Sequence, residues 1–306
     1  MTAPGIPNQY SLSTTCFGTR LANIQDQIFA AVGMGFRRLE LGISELPPSM
    51  EGLEESRRET GMTIRSLVAG CRDPKNGHMA VERLGSLVPE ESERAMNSLR
   101  RHIRLAGSWG CGTVVVRGSK VEDPKFLRRA EALEARWHRD GLDSDLRAEI
   151  ACFVRKVQKG SQRQIEHFCR SLFQLAREFP NARFAVEPGR EIDDLLGFEA
   201  MGWVLDDLES VGIRYWHDVG RIHITEQLGL PPQGAWLDTY GGRMAGIHLQ
   251  DAADEQAEMP IGLGEVDFQL LRYYVPKDAE KVLEISPEHG RAEILASVQY
   301  LVDHGF

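Results

Sequence analysis

Four residues in the second half of the chain have types and spacing that could do chemistry together. Glu187 ends the run "FAVEPGRE", Asp218 lies in "YWHDVGR", His248 in "GIHLQD" and Glu284 in "VLEISPE". They are 31, 30 and 36 residues apart, each interval about the length of one strand-plus-helix unit. Each follows an apolar stretch. Taken singly, a strand-end Glu is often hydrogen-bonded to a neighbouring loop, and a His on an apolar strand is often structural. The repetition at matched depth points to a joint site. Three carboxylates held close together raise one another's pKa and do not all stay ionised without a cation. A divalent metal resolves the repulsion. Mostly oxygen ligands with one imidazole suit Mn²⁺, Mg²⁺, Co²⁺ or Zn²⁺, and the ligand set does not choose among them. A metal beside carboxylates at a polar rim suits proton abstraction next to a carbonyl.

Such a site needs elements that deliver it. Apolar runs that read as strands occur at 10–17, 37–43, 63–69, 112–118, 182–188, 213–219, 244–250 and 281–286. Helical periodicity falls between them at 23–35, 90–110, 161–179 and 198–212, and again at 291–305, where it closes the chain. Several helices end in Gly before the next strand, as in "VGMGFRRLEL", "RETGMTIRS" and "ESVGIRYW", the expected C-cap arrangement. Strict alternation argues for a parallel sheet, and eight units argue for an α/β chain folded as a single (β/α)₈ TIM barrel over residues 1–306. An open dinucleotide-binding sheet would want GxGxxG after the first strand, and "TTCFGTRLAN" lacks it. The beat fails once, at 119–160, where a charge-dense helical excursion follows the fourth strand. It is a solvated insertion, a lid or a subunit contact.

In such a barrel the active site lies at the C-terminal ends of the strands, where Glu187, Asp218, His248 and Glu284 all fall. Other residues reach the same rim. Arg221 follows Asp218 and either pairs with Glu187 or Glu191 or holds an oxygen-rich or anionic substrate group. His217 either turns away from the ligand face or reaches over the rim to substrate. Glu40 ends the second strand and contacts a substrate hydroxyl or pairs with Arg38 or Arg117. Arg117 ends the fourth strand and is a candidate substrate contact. Arg190 and Glu191 follow the fifth-strand ligand and could orient it. His223 reads as a structural residue of the following loop. Cys16 reads as a small core residue.

The segments "VEPGRE", "HDVG", "GIHLQD", "PIGLGEVDF" (260–268) and "VLEIS" resemble the xylose-isomerase-like TIM-barrel superfamily. They are most similar to the sugar phosphate isomerases/epimerases that include ketose 3-epimerases and inosose-handling enzymes. The resemblance covers nearly the whole chain and is sharpest from 182 to 286. It implies one divalent metal on Glu187, Asp218, His248 and Glu284, with Glu187 and Glu284 as the acid/base pair of an isomerase or epimerase acting on a small ketose, keto-sugar or polyol. An inosose-type dehydratase and a non-catalytic binding protein on the same barrel are the alternatives. The chain departs from the pattern where relatives carry Asp-x-x-His: Arg221 stands in the His position. Gln250 stands where relatives often have Lys, and the third strand ends in "SLVAG" without a His. A three-metal nuclease site is therefore incomplete.

Composition sets the outer bounds. The 306 residues are 42% hydrophobic and 26% charged, with a net charge of −9, which offers no electrostatic reason to expect nucleic acid or an anionic membrane as partner. "MTAPGIPNQY" lacks the apolar run of a signal peptide, and no stretch of about 18 apolar residues occurs. Five scattered cysteines without CxxC fit a reduced, cytoplasmic setting and no cysteine zinc site. A small-molecule substrate and a possible homo-oligomer complete the expectation.

Overall fold

The computed structural model describes residues 5–43, 46, 48–71 and 79–306; the first four residues of the opening segment lie outside them. Eight parallel strands close a barrel: β1 (Tyr10–Ser13), β2 (Arg38–Leu41), β3 (Thr63–Val68), β4 (Thr113–Val116), β5 (Phe184–Val186), β6 (Arg214–Asp218), β7 (Met244–Leu249) and β10 (Glu280–Leu283). β1 pairs with both β2 and β10, which closes the ring and leaves no free sheet edge. Seven of the strands fall inside the expected runs, β10 begins one residue before its run, and all eight are shorter than expected. The first stops at Ser13, whose hydroxyl caps a 3-10 turn over Thr14–Phe17 that buries Cys16.

The long amphipathic helices appear where periodicity places them: α1 (Ile24–Met34), α3 (Pro89–Ser108), α6 (Gln162–Glu178), α7 (Phe198–Asp207) and α11 (Arg291–Asp303). Gly35, Gly61 and Gly212 end helical segments at positive φ, as expected of C-caps. The excursion forms two helices, α4 (Pro124–Asp140) and α5 (Ser144–Gly160), opened by Asp123 and Asp143 as N-caps. Leu146, Ile150, Phe153 and Val157 bury the inner face of α5. Backbone bonds from Leu195 to Ser119 and from Val121 to Asp193 tie the excursion to the loop after β5, and Arg147 donates to the carbonyl of Gln227. Four shorter helices complete the ring: α2 (Leu53–Thr60), α8 (Val219–Gln227), α9 (Gln233–Tyr240) and α10 (Phe268–Tyr274). A hairpin of β8 (Asp251–Ala253) and β9 (Gln256–Met259) stands above β7. Among the described residues no helix is long and apolar enough to cross a membrane.

Strand alternation sorts side chains into the barrel interior or toward the helices. Val68, Val115, Ala185, Trp216 and Val282 form one interior cluster. Trp216 fits only because position 246 is glycine: a Cβ there would lie 2.2 Å from its ring. Two residues further along most of these strands, the same inward row turns polar.

Candidate metal centre

The inward row at the C-terminal end comprises Arg117, Glu187, Asp218, His248 and Glu284, contributed by β4 to β7 and β10 or the residue just past them, with Glu40 of β2 and Ser66 of β3 beneath it. Register explains the common depth: His248 pairs with Asp218 on one side and with Val282 on the other, two residues before Glu284. Glu187 and Glu284 each follow the last residue of a strand, with backbone N–H bonds to Val116 and Leu249. All four expected ligands are buried, and one donor atom from each lies within 4.8 Å of the others.

Arg117 lies across two of these carboxylates, and its position decides whether a cation fits. Its Nε donates to Glu187 Oε2 at 2.6 Å and its Nη2 to Glu284 Oε1 at 3.0 Å. Each glutamate thus gives one oxygen to arginine and turns the other inward. Glu187 Oε1 lies 2.6 Å and Glu284 Oε2 3.3 Å from His248 Nδ1. Asp218 Oδ1 accepts from the Arg221 backbone N–H at 3.0 Å and from Gln250 Nε2 at 2.8 Å. Asp218 Oδ2 and Glu284 Oε2 are shielded from water and accept no hydrogen bond. Buried unsatisfied carboxylate oxygens are costly, and two of them on adjacent ligands suit a cation.

Charge balance agrees. Glu40, Glu187, Asp218, Glu258 and Glu284 face Arg117, Arg190 and Arg221. With a neutral imidazole, two negative charges are left over, the charge of one divalent ion. Without an ion, protons must serve. Burial and the charges of Glu187 and Glu284 push Asp218 up to about 6. Burial works against a charged His248, but Glu284, Glu40 and Glu187 outweigh it and hold the imidazolium well above its usual range. Burial also opposes ionisation of Glu187 and Glu284, yet Arg117 and His248 keep both below the usual carboxylate range.

Glu40 corrects one expectation. It contacts neither the upper cavity nor Arg38 or Arg117. It is buried beneath His248, 3.0 Å from Nε2, and accepts from Ser66 at 2.7 Å. A carboxylate on the far imidazole nitrogen fixes the tautomer that leaves Nδ1 free to bind a metal. Of the two alternatives for His217 the structure shows the first, and it is not a substrate contact. Alternation on β6 turns it outward, where Tyr215 Oη lies 2.8 Å from Nδ1 and Gln233 Oε1 2.7 Å from Nε2. Burial lowers it to about 4, and it does not reach the rim. His223 lies within α8, not on a loop.

Arg221 pairs with neither Glu187 nor Glu191; its Nη2 donates to Glu258 at 3.1 Å. Arg190 Nη2 lies 3.6 Å from the same oxygen and 4.0 Å from Glu284, so it approaches the last ligand and not Glu187. Sequence reasoning missed Glu258. It sits on β9 at φ 61°, an uncommon conformation for a non-glycine residue, held by its N–H to Gln250 Oε1 (2.6 Å) and by Ser286 N–H to its carbonyl (2.7 Å). No local pattern in "DEQAEMP" signals that turn. Gln250, noted only as a departure, connects Glu258 to Asp218. Asp251 accepts backbone N–H bonds from Ala252, Gly262 and Val266, which explains the "PIGLGEVDF" segment as a loop wrapped around one carboxylate. Above the centre opens a cavity of about 490 Å³ walled by Arg117, Glu284, Arg190, Glu258, Thr15 and Ser286.

No family model and no curated protein matches the chain. Among solved structures it is similar to D-allulose 3-epimerase from Methylomonas sp. in complex with D-allulose, at 12% identity over 99% of both chains and a TM-score of 0.67. It is also similar to 3-keto-D-glucoside 4-epimerase from E. coli, at 14% identity over 96% of this chain and 99% of that one, with a TM-score of 0.64. Endonuclease IV from Thermus thermophilus matches at 16% identity over 96% of this chain and 98% of that one, with a TM-score of 0.58. At these identities the likeness is one of architecture, and one barrel serves different reactions. The chain shares the closed (β/α)₈ barrel fold of these structures.

Proposed function

We propose that the protein is a divalent-metal-dependent sugar isomerase or epimerase that moves a proton next to the carbonyl of a small ketose, keto-sugar or polyol derivative. The observation that carries this reading is the buried group of Glu187, Asp218, His248 and Glu284, whose donor atoms lie within 4.8 Å of one another beneath a polar cavity. The two similar structures named as epimerases support it at the level of fold and reaction type.

An ion held by these four residues, whether Mn²⁺, Mg²⁺, Co²⁺ or Zn²⁺, supplies positive charge that makes a proton beside a carbonyl easier to remove. The chain does the rest. Glu284 is the one of the two glutamates that borders the cavity, which suits it to take the proton. Glu187, on the opposite arm of Arg117, returns a proton. Delivery to the other face of the same carbon gives an epimer, and delivery to the neighbouring carbon gives an aldose–ketose shift. Arg117 fixes both carboxylates in orientation and keeps them ionised. The Arg190 guanidinium makes no hydrogen bond within the described residues and borders the cavity, so its donors are free for substrate oxygens; Arg221 stands behind it through Glu258.

The test is proton exchange in D₂O. Mn²⁺-loaded protein, incubated with a panel of ketoses and keto-sugars, is expected to place deuterium on the carbon next to the carbonyl of its substrate. Glu284→Gln is expected to stop this even at a Mn²⁺ concentration raised until calorimetry shows the weakened site filled. Exchange at the normal rate by a metal-loaded Glu284→Gln protein would refute the assignment. Water loss from an inosose in the same assay would mark a lyase.

A further inference from the structure

A second cavity, of about 360 Å³, lies beside the first. One wall is chain that directly follows two of the ligands: Pro188 and Gly189 after Glu187, and Arg221 and Ile222 in the first turn of α8. The facing wall is the excursion, through Ala151 and Val154 of α5. Arg221 links the two spaces, because it borders this cavity while its Nη2 holds Glu258, which borders the other.

The lining is mostly apolar. Phe198 and Trp236 form an aromatic corner with ring centroids 5.1 Å apart and planes at 89°, and Trp236 stacks against Tyr215, so the corner is rigid. Two residues of this lining hold a shielded polar atom without a partner, Arg221 through its Nε and Asp194 through its Oδ1. Asp194 is 7% exposed; its Oδ2 accepts the backbone N–H groups of Arg190 and Glu191, while its Oδ1 is shielded and has no partner. An apolar cavity with few convergent polar atoms is the usual form of a small-molecule site, and this volume falls in that range. It does not suit a second sugar, whose many hydroxyls would lose water without finding partners.

We propose that this cavity receives an apolar ring carried by the substrate, a phenol-like group whose hydroxyl meets Asp194, so that the preferred substrate is a ring-substituted sugar or glycoside and not a free monosaccharide. The inference rests on the proposed function, and the excursion is then the part of the chain that sets specificity.

Fluorine NMR of para-fluorophenol tests the cavity directly. The Mg²⁺-loaded protein is expected to broaden the fluorine signal, and Ala151→Trp, which fills the space, to abolish the broadening with circular dichroism unchanged. Ala151→Leu, a smaller change, is expected to reduce it if the larger variant fails to fold. Replacing Mg²⁺ by paramagnetic Mn²⁺ is expected to add relaxation, because the ring would lie close to the centre. para-Hydroxyphenyl β-D-glucoside is expected to displace the probe at a concentration roughly tenfold or more below that of methyl β-D-glucoside, from burial of one ring. The proposal is overturned if the wild-type protein does not broaden the signal, or if Ala151→Trp leaves the broadening intact. It is also overturned if the aryl glucoside displaces the probe no better than the methyl one, or if Mn²⁺ adds no relaxation although calorimetry shows it bound. If calorimetry shows no Mn²⁺ uptake, the proposed function fails, and broadening and displacement still judge the cavity.

Discussion

Glu280 and Glu284 occupy the two ends of one strand, four residues apart, and their surroundings are opposite. At the start of β10, Glu280 lies between Arg38 and Arg65, and both Nε and Nη2 of Arg65 donate to it. No second carboxylate shares those cations among the described residues. Just past the other end, Glu284 shares Arg117 with Glu187 and faces His248, while Asp218 adds a further acid. One end of the barrel is closed with a surplus of positive charge, so that even Glu280 Oε2, which accepts no hydrogen bond, has Arg38 at 3.8 Å; the other keeps a deficit and two such oxygens. The same residue type is structural where cations outnumber it and, in the proposed function, chemical where they do not. This matches the division of barrels into a stabilising lower face and a reactive upper one.

The contrast breaks most severely if an upper ligand is removed. Glu187→Gln is expected to lower affinity for a divalent ion by more than about a hundredfold, since even outer partners of ligands typically contribute roughly 10–100-fold; titration calorimetry with Mn²⁺ reads this. Glu40→Gln touches no ligand oxygen but frees the imidazole to adopt the wrong tautomer, and affinity should fall by roughly 10–100-fold in the same measurement. Proton release sharpens the comparison further. Asp218 is raised to about 6 and His248 is held protonated well above its usual range, so below about pH 6 the ion must displace both protons and affinity should climb by about a hundredfold per pH unit. Above about 6 only the His248 proton is left to displace, and the climb should ease to about tenfold per pH unit. The sign for stability is the reverse: a carboxyl raised in the folded state favours the ion-free fold below about 4, and that contribution is lost as pH rises through about 6. Urea titrations with and without Mn²⁺ across about pH 4–8 separate the two effects. Smallest of all, Glu280→Gln should cost about 1–2 kcal/mol of stability, between the values for exposed and buried pairs, and leave Mn²⁺ affinity unchanged.

Much of this is legible along the chain. The ligands are readable because each ends an apolar run, and parallel strands of like length bring such ends to one rim. What escapes depends on contacts across the barrel. Glu40 and His248 are 208 residues apart on strands that are not neighbours, and only closure turns their inward side chains toward each other. Glu258 is hidden for a different reason, since its position follows from a left-handed turn that its neighbours Gln250 and Ser286 impose. His217 could have been placed by alternation alone: with Asp218 facing inward, its neighbour had to face the helices. Helices α8, α9 and α10 have only seven to nine residues and carry too few turns to show a period.

One carboxylate serves both architecture and affinity. Asp218 begins helix α8, its Oδ1 taking the Arg221 amide, while its other oxygen is left over. Asparagine starts helices as well as aspartate does, so Asp218→Asn should spare the scaffold and silence the ion's anchor, whereas Asp218→Ala should damage both. At this position the two roles of a residue can be pulled apart by exchanging a single heavy atom.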